Sequence, residues 1–546
     1  MTAPGYQSEG DPPFAEADYV VVGGGSAGCV VAGRLSEDPA ATVILIEAGK
    51  RDRSPYIHLP VMHYKTTGPA FTWGHQTAPS RHQGGIVIPF PQAKVLGGGS
   101  SINAQVYIRG IPQDYDAWRS DFGCAGWSYD DVLPYFIKAE DNQSFVNERH
   151  GVDGPLKVSD QKFTHPLTYA WLRACQQAGI PFNSDFNGVV RAGCGLYQVT
   201  NRDGRRSSAA TAYLRLAERR SNINVITDAR ALRLIVRKQR ALGVEAWHRG
   251  TSRVVIKARR EVIVAAGAIG TPHLLMLSGI GPADRLRQSG IEVIKDLPAV
   301  GRSLQDHPDI FMIYELTGPH SYDKYRKLNW KAWAGLQFAL FGAGPVTSNA
   351  FEGGAFWWVD HTDDTPDVQF HFLVGTRVKA GIADVPGGNG CTLTAYLLRP
   401  KSRGAVSLRS PDPFAPPEID PNYFSEADDL DKTVAAVKLG RDIMSQAALS
   451  GFIKAEHFPG EGVWTKDELE SFVRKRARTG YHPAGTCRMG SDQQSVVDTQ
   501  LRVRGVDGLR IADNSIMPRL VSGNTNATAI MIGERAAEFI KGDFSL

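Results

Sequence analysis

A chain of 546 residues, 42% of them hydrophobic, has the length for roughly two to four domains and a large buried core. Its formal net charge of +4 is too small to mark a nucleic-acid partner, and the one short basic run, Arg474–Arg478, reads as a solvated helix face. The first residues lack a basic segment followed by an apolar core, and no stretch of about 18 apolar residues occurs, so neither a secretory signal nor a spanning helix is expected. Six cysteines are scattered without a C-x-x-C pair. That pattern fits free thiols in a reducing, cytoplasmic setting, with no disulfide framework and no metal site. Peripheral attachment to a membrane stays open.

In chain order, residues 1–17 read as a flexible tail. The next stretch, "DYVVVGGGSAGCVVAGRLSEDPAATVILIEAG" from Asp18, gives an apolar run, a glycine turn, a helical stretch and a second apolar run, which is βαβ order. Within it stand Gly23, Gly25 and Gly28 at G-x-G-x-x-G spacing. The first permits the tight turn, the second lets the backbone approach a pyrophosphate, and the third allows close helix–strand packing, with the phosphates on free N–H groups at the helix start. Glu47 closes the second strand 19 residues after Gly28, where a carboxylate accepts hydrogen bonds from ribose hydroxyls. The pattern predicts a dinucleotide but does not separate NAD from FAD.

A second glycine cluster, "AKVLGGGSSINAQVYIRG" (Ala93–Gly110), carries three consecutive glycines and two serines, whose backbone and hydroxyl donors suit a flat polar ring or a diphosphate. Trp118–Ala139 reads as helical in part and Asn224–Val236 as strand-like, and Arg260–Gly281 reads as strand, turn and helix. From Phe311 to Ala395 the text is aromatic-rich and irregular, with alternating runs such as Val368–Val374. Tyr481–Gly490, "YHPAGTCRMG", sets His482 in backbone stiffened by Pro483; a lone loop histidine is more often a surface residue than a catalytic one. "GLRIADNSIMP" is a last short strand ending in Asp513, and "NATAIMIGERAAEFI" a final helix. No internal repeat occurs. The alternation predicts α/β architecture at the two ends and α+β in the middle.

These motifs, with "GAIGTPHLLMLSGIG" (Gly267–Gly281), "VGRSLQDH" (Val300–His307), "VVD" (Val496–Asp498) and "NTNATAIMIGERAA", resemble in content and order those of the glucose–methanol–choline (GMC) family of flavin-dependent oxidoreductases. The resemblance runs from Asp18 to Ile540. Within the family, the stretch "DKYRKLNWKAWAGLQFALFGAGPVTSNAFEGGAFWW" is most similar to L-sorbose dehydrogenases, then to polyethylene glycol and choline dehydrogenases. The family implies a Rossmann-like FAD-binding domain assembled from 18–160, 205–310 and 481–546, and a sheet-and-helix substrate domain from 161–204 and 311–480.

By the family pattern Glu47 binds the adenosine ribose, and Val95 and Ala231 make backbone contacts to the cofactor. Ser100, Ser101 and Asn103 line the diphosphate and flavin, Ser26, Gly98 and Ala104 also bind the cofactor, and Asp513 and Asn526 approach the ribityl chain and ring. Some choline-oxidising relatives attach flavin through a histidine where this chain has Ile102, so non-covalent FAD is expected. The resemblance makes His482 the base and Asn526 its hydrogen-bonding partner in oxidising a primary alcohol of the L-sorbose (polyol or sugar) type to the aldehyde. Electrons then pass to a quinone, a dye or O₂, with oligomeric state open. The alternatives are an oxidase releasing hydrogen peroxide, a choline or polyethylene glycol dehydrogenase, and more remotely non-oxidative or light-driven chemistry. Glu352 aligns with a position that meets the substrate's cation in choline-type enzymes, against a purely structural role in a core sheet, and Gln105 either faces the pocket or packs. The aromatic cluster Trp330, Trp333, Phe356, Trp357 and Trp358 reads as core, and Cys487 as packing.

Overall fold

The computed structural model describes residues 13–376 and 384–543. Two seven-stranded sheets organise them. In the first, strands Ile223–Ile226, Val43–Ile46, Ala15–Val22 and Ser252–Val264 lie side by side in parallel, and Leu509–Ile511 adds to Ser252–Val264. Antiparallel strands Arg240–His248 and Ala229–Arg237 extend the far edge. The parallel strands are continuous apolar runs because both their faces are covered; Val20, Val21, Leu45, Ile263 and Val264 are all buried. Of the expected tail, residues 1–12 lie outside the described residues. Residues 15–17 are strand instead, because the thirteen-residue strand Ser252–Val264 offers them ladder partners, Ala15 opposite Ile256.

The glycine turn behaves as its spacing predicts. Gly23 has a φ of +106°, a backbone conformation that favours glycine, and a Cβ on Gly28 would stand 1.9 Å from the Gly23 carbonyl oxygen. Helix Ser26–Leu35 therefore starts tight against the strand end. Its other side packs on the final helix, Asn526–Asp543, where Gly533 admits the Val30 side chain.

The second sheet is antiparallel, in the order Ile453–Phe458, Pro308–Leu316, Gly390–Leu397, Val368–Leu373, Gly353–Trp357, Gly193–Leu196, with Arg478–Thr479 pairing to Pro308–Leu316. The period of two sorts its side chains. Ile310, Met312, Phe370, Phe372, Leu393 and Ala395 share one buried core with helices Pro166–Gln177 and Ala427–Met444. Phe311, Ile313 and Leu373 pack in a separate cluster with Val106 and Ile108 from the run after the second glycine cluster. His371 and Tyr396, which alternate with the helix-side residues along their strands, line the cavity.

Candidate active site

A cavity of about 370 Å³ runs from the glycine turn of the first sheet to the face of the second. At its nucleotide end helix Ser26–Leu35 begins without a side-chain cap, which leaves its first amides available to an anion. Glu47 is buried there, each carboxylate oxygen taking one backbone N–H: Gly49 at 2.7 Å and Gly24 at 2.9 Å. Burial, partly offset by those two amides, pushes its pKa up to about 7. Gly99 and Gly267 line the same cleft, and a Cβ on either would project into open space. Asp513 accepts from Gly267 N at 2.9 Å, Thr271 Oγ1 at 2.6 Å and Ser515 N at 2.8 Å, and burial raises its pKa above the usual aspartate value. An uncapped helix start, a buried carboxylate for ribose hydroxyls and glycine-lined walls fit an FAD molecule.

Of the residues singled out from sequence, Gly23, Gly25, Ser26, Glu47, Gly98, Asn103, Ala104, Gln105, Ala231, His482, Asp513 and Asn526 line the cavity, and Gly28, Val95, Ser100, Ser101 and Glu352 do not. Gly28 serves packing, as its spacing implies. Ser100 and Ser101 turn inward rather than toward the cleft. The Ser100 hydroxyl donates to Gly97 O (2.5 Å) and accepts from Ala209 N, and the Ser101 hydroxyl donates to Leu96 O (2.7 Å). They hold the loop's shape, and the cleft wall beside them is glycine backbone. Arg206, which carried no sequence signal, clamps the same loop from behind by donating to Ser100 O and to Asn103 Oδ1 and O.

Glu352 is fully buried away from the cavity. It accepts hydrogen bonds from His165 N (2.8 Å), Thr168 Oγ1 (2.6 Å), Ser348 Oγ (2.6 Å) and the Tyr322 hydroxyl. The carboxylate closes a polar knot in the core, away from the cavity lining. In the aromatic cluster Phe356 is core, but Trp330 and Trp333 are 39% and 52% exposed. Cys487 is buried, its thiol pushed well above the usual range by burial, as a packing residue's would be.

The loop bearing His482 is held against the stretch before strand Pro308–Leu316. Gln305 and Ala484 exchange backbone hydrogen bonds, Gly480 N donates to His307 O, and His482 N donates to Asp306 Oδ1 at 2.8 Å. His307 is fully buried, and burial pushes its pKa down to about 4, so its ring is neutral. Its Nε2 lies 2.9 Å from Leu398 O and its Nδ1 2.9 Å from His482 Nδ1. A carbonyl only accepts, so Leu398 O favours the single proton of His307 on Nε2 and a lone pair on Nδ1; the backbone of Val521 also approaches this ring. With His307 in that tautomer, His482 carries its proton on Nδ1 and leaves a lone pair on Nε2.

The group beside that lone pair is Asn524, not Asn526. Asn524 Nδ2 lies 3.2 Å from His482 Nε2, and its Oδ1 accepts from Gln369 Nε2 at 3.1 Å. Asn526 is the first residue of the final helix and accepts from the Ser26 hydroxyl at 2.8 Å, tying the two helices at the nucleotide end. The two asparagines stand two residues apart, and the turn into the helix sends them to opposite tasks. Sequence reasoning also missed Asp306 and His307, although "VGRSLQDH" was visible as a motif.

Comparison with known proteins accords with this geometry. Sequence profiles described as GMC oxidoreductase match residues 17–309 and 400–533. An alcohol dehydrogenase [acceptor] of Pseudomonas putida is 43% identical over 527 residues, covering 96% of this chain and 95% of that one. An oxygen-dependent choline dehydrogenase of Brucella anthropi is 42% identical over 533 residues, covering 96% of each. Among solved structures, pyridoxine 4-oxidase from Mesorbium loti superposes with a TM-score of 0.86 at 30% identity, covering 96% of this chain and 98% of that one. A variant of Aspergillus oryzae formate oxidase superposes with a TM-score of 0.92 at 26% identity, covering 98% and 99%. The two sequence relatives are named for alcohols and choline and the two solved structures for pyridoxine and formate, none of the four for L-sorbose. With a nucleotide cleft and a histidine–asparagine pair at opposite ends of one cavity, and matches across nearly its whole length, the chain belongs to the GMC oxidoreductase family, FAD-dependent enzymes acting on CH–OH donors.

Proposed function

We propose that this protein oxidises an uncharged primary alcohol to the aldehyde with non-covalent FAD and passes the electrons to a quinone-like acceptor. The observation that carries the reading is the pair of contacts at His482, Nδ1 2.9 Å from His307 Nδ1 and Nε2 3.2 Å from Asn524 Nδ2, which favours a tautomer with a bare Nε2. Bound FAD would supply the hydride acceptor. The alcohol hydroxyl would replace the Asn524 N–H at the one lone pair of His482 Nε2 and give its proton there, and the displaced Asn524 amide would donate to the oxygen as it gains negative charge. The resulting imidazolium keeps its Nδ1–H on His307, so taking up the proton requires no rearrangement behind it.

The substrate assignment rests on what surrounds His482. The cavity's two carboxylates, Glu47 and Asp513, are both engaged by backbone amides, and Glu352 is walled off in the core. Phe351, His371, Tyr396 and Val106 line the substrate end; aromatic faces there accept a quaternary ammonium as well as hydrocarbon, so the preference for a neutral alcohol rests on the lack of an available carboxylate beside His482 among the described lining residues. The likeness to L-sorbose dehydrogenases lies in 323–358, of which only Phe351 lines the cavity. It therefore carries little about substrate, and polyols stand as one class of neutral alcohol among several. Ile102 presents hydrocarbon to the cleft where a covalent histidine would stand, which supports dissociable FAD.

Anaerobic mixing tests the reading. Aliphatic or polyol primary alcohols should bleach the flavin, and choline should do so much more slowly. Bleaching by choline alone would overturn the substrate class, and no bleaching by any alcohol would overturn the redox reading. Hydrogen peroxide formed in air at the rate of turnover would make the protein an oxidase. Yellow FAD should appear in the supernatant on acid precipitation.

A further inference from the structure

Helix Leu328–Phe341, "LNWKAWAGLQFALF", has an unusual relation to the fold. Ten of its fourteen residues are Leu, Ala, Trp or Phe, yet Ala334 is its only buried residue. Leu328, Leu340 and Phe341 are 82%, 63% and 74% exposed, and Trp333 and Leu336 about half exposed. The inner side rests on Phe338, whose ring lies at Gly204 beside Thr347. Leaving so much contiguous apolar surface in water is unfavourable and marks a docking face.

The charge around it names the occupant. No Asp or Glu occurs from Lys324 to Phe351, but Lys324, Arg326, Lys327 and Lys331 do. Arg326 is paired with Asp323 and Asp384, whereas Lys324 lies over the Tyr325 and Trp330 rings. Basic side chains beside an apolar helix, with tryptophans among them, suit the headgroup boundary of an anionic bilayer. At about 1.5 Å per residue the helix is about 21 Å long, too short to cross a hydrocarbon core of about 30 Å, and no helix among the described residues is long and apolar enough to span. The chain leaves the helix through Pro345–Thr347 and reaches Phe351, which lines the substrate end of the cavity and stacks edge-on against His63.

We infer that helix Leu328–Phe341 is a membrane-docking element, lying in the plane of an anionic lipid surface with its lysines at the headgroups. It sets the substrate end of the cavity near the bilayer. The inference stands independently of the alcohol chemistry.

Vesicles of phosphatidylcholine alone, and of phosphatidylcholine with 30% phosphatidylglycerol (about one lipid in three), test it by sedimentation of the FAD-loaded protein. The wild type should partition onto the anionic vesicles at least about tenfold more strongly than onto neutral ones. Trp333→Glu with Leu340→Glu should abolish partitioning, and Lys327→Glu with Lys331→Glu should remove the preference for anionic lipid. All variants should keep wild-type flavin content and dye-coupled activity on a soluble alcohol, which separates failure of docking from failure of the enzymatic reading. Absence of wild-type partitioning, or partitioning unchanged in the Trp333/Leu340 variant, overturns the inference. So does light scattering that shows a wild-type dimer dispersed by that variant without any vesicle binding, because the helix would then be an interface between copies.

Discussion

At the scale of single residues, the proposed chemistry depends on which nitrogen of His482 is bare. His482→Ala should retain FAD and slow anaerobic flavin reduction by at least about a hundredfold, the lower range of a general base's contribution; near-normal reduction in stopped flow would remove His482 from that role. His307→Phe removes the lone pair that accepts His482 Nδ1–H, so the ring can hold its proton on Nε2. Reduction should fall and its pH profile should shift. His307→Gln, whose amide can donate to Leu398 O and still accept from His482, should recover most of the rate. A loss of stability alone would leave the pH profile of the folded enzyme unchanged. Glu47 gives a third test. With its pKa raised to about 7 it is protonated at pH 6 in the flavin-free protein, and ribose hydroxyls favour the ionised form as acceptor. FAD binding at pH 6 should release up to about one proton, read as a dependence of the calorimetric heat on the buffer's ionisation enthalpy. That dependence should be absent at pH 8.5.

At the scale of elements, Glu352 shows how a charged residue can look functional and be architectural. Its four donors come from the start of helix Pro166–Gln177, from the turn at Tyr322 and from Ser348 ahead of strand Gly353–Trp357. Glu352→Ala leaves those donors facing one another in the core. An unsatisfied buried donor costs about 1–3 kcal/mol, so the melting temperature should fall by several degrees. The folded fraction should keep its Michaelis constant for a neutral alcohol within about twofold. A large rise in that constant at unchanged melting temperature would return Glu352 to the substrate site.

At the scale of the whole molecule, buried histidines set the acid limit. Burial pushes the pKa values of His63, His165, His273 and His307 down to about 4. The unfolded chain binds protons at these positions from pH 6.5 downward while the folded chain does not, so stability is lost as pH falls through that window, by at most about 1.4 kcal/mol per pH unit for each. Glu47 acts with the opposite sign, and so does His150, whose pKa hydrogen bonds to Asp185 and Glu140 raise. The pKa of His75 is likewise lowered to about 4 by burial, so five groups stand against two, and the melting temperature should fall between pH 6.5 and 5.5. Burial also raises the pKa of Asp513, which acts with the same sign as Glu47. A flat or rising profile between those two values would mean that the histidines are solvated.

Much of the architecture was legible in the chain because it depends on local spacing. The glycine turn, Glu47 at the end of the next strand, the apolar parallel strands and the final helix follow from backbone sterics and the periods of strand and helix. His482 was legible through the order of motifs, which the resemblance supplied. What only the tertiary structure decided is which side chains meet. Whether Asn524 or Asn526 faces His482 depends on where the final helix begins, and the inward turn of Ser100 and Ser101 depends on carbonyls at Gly97 and Leu96. His307 acts through a contact 175 residues away in sequence. The tryptophans of Leu328–Phe341 looked like core because composition records that a residue is apolar, not whether the fold supplies anything to cover it. Local sequence sets backbone conformation over a few residues; hydrogen-bond partners and burial are set by segments that come together only on folding.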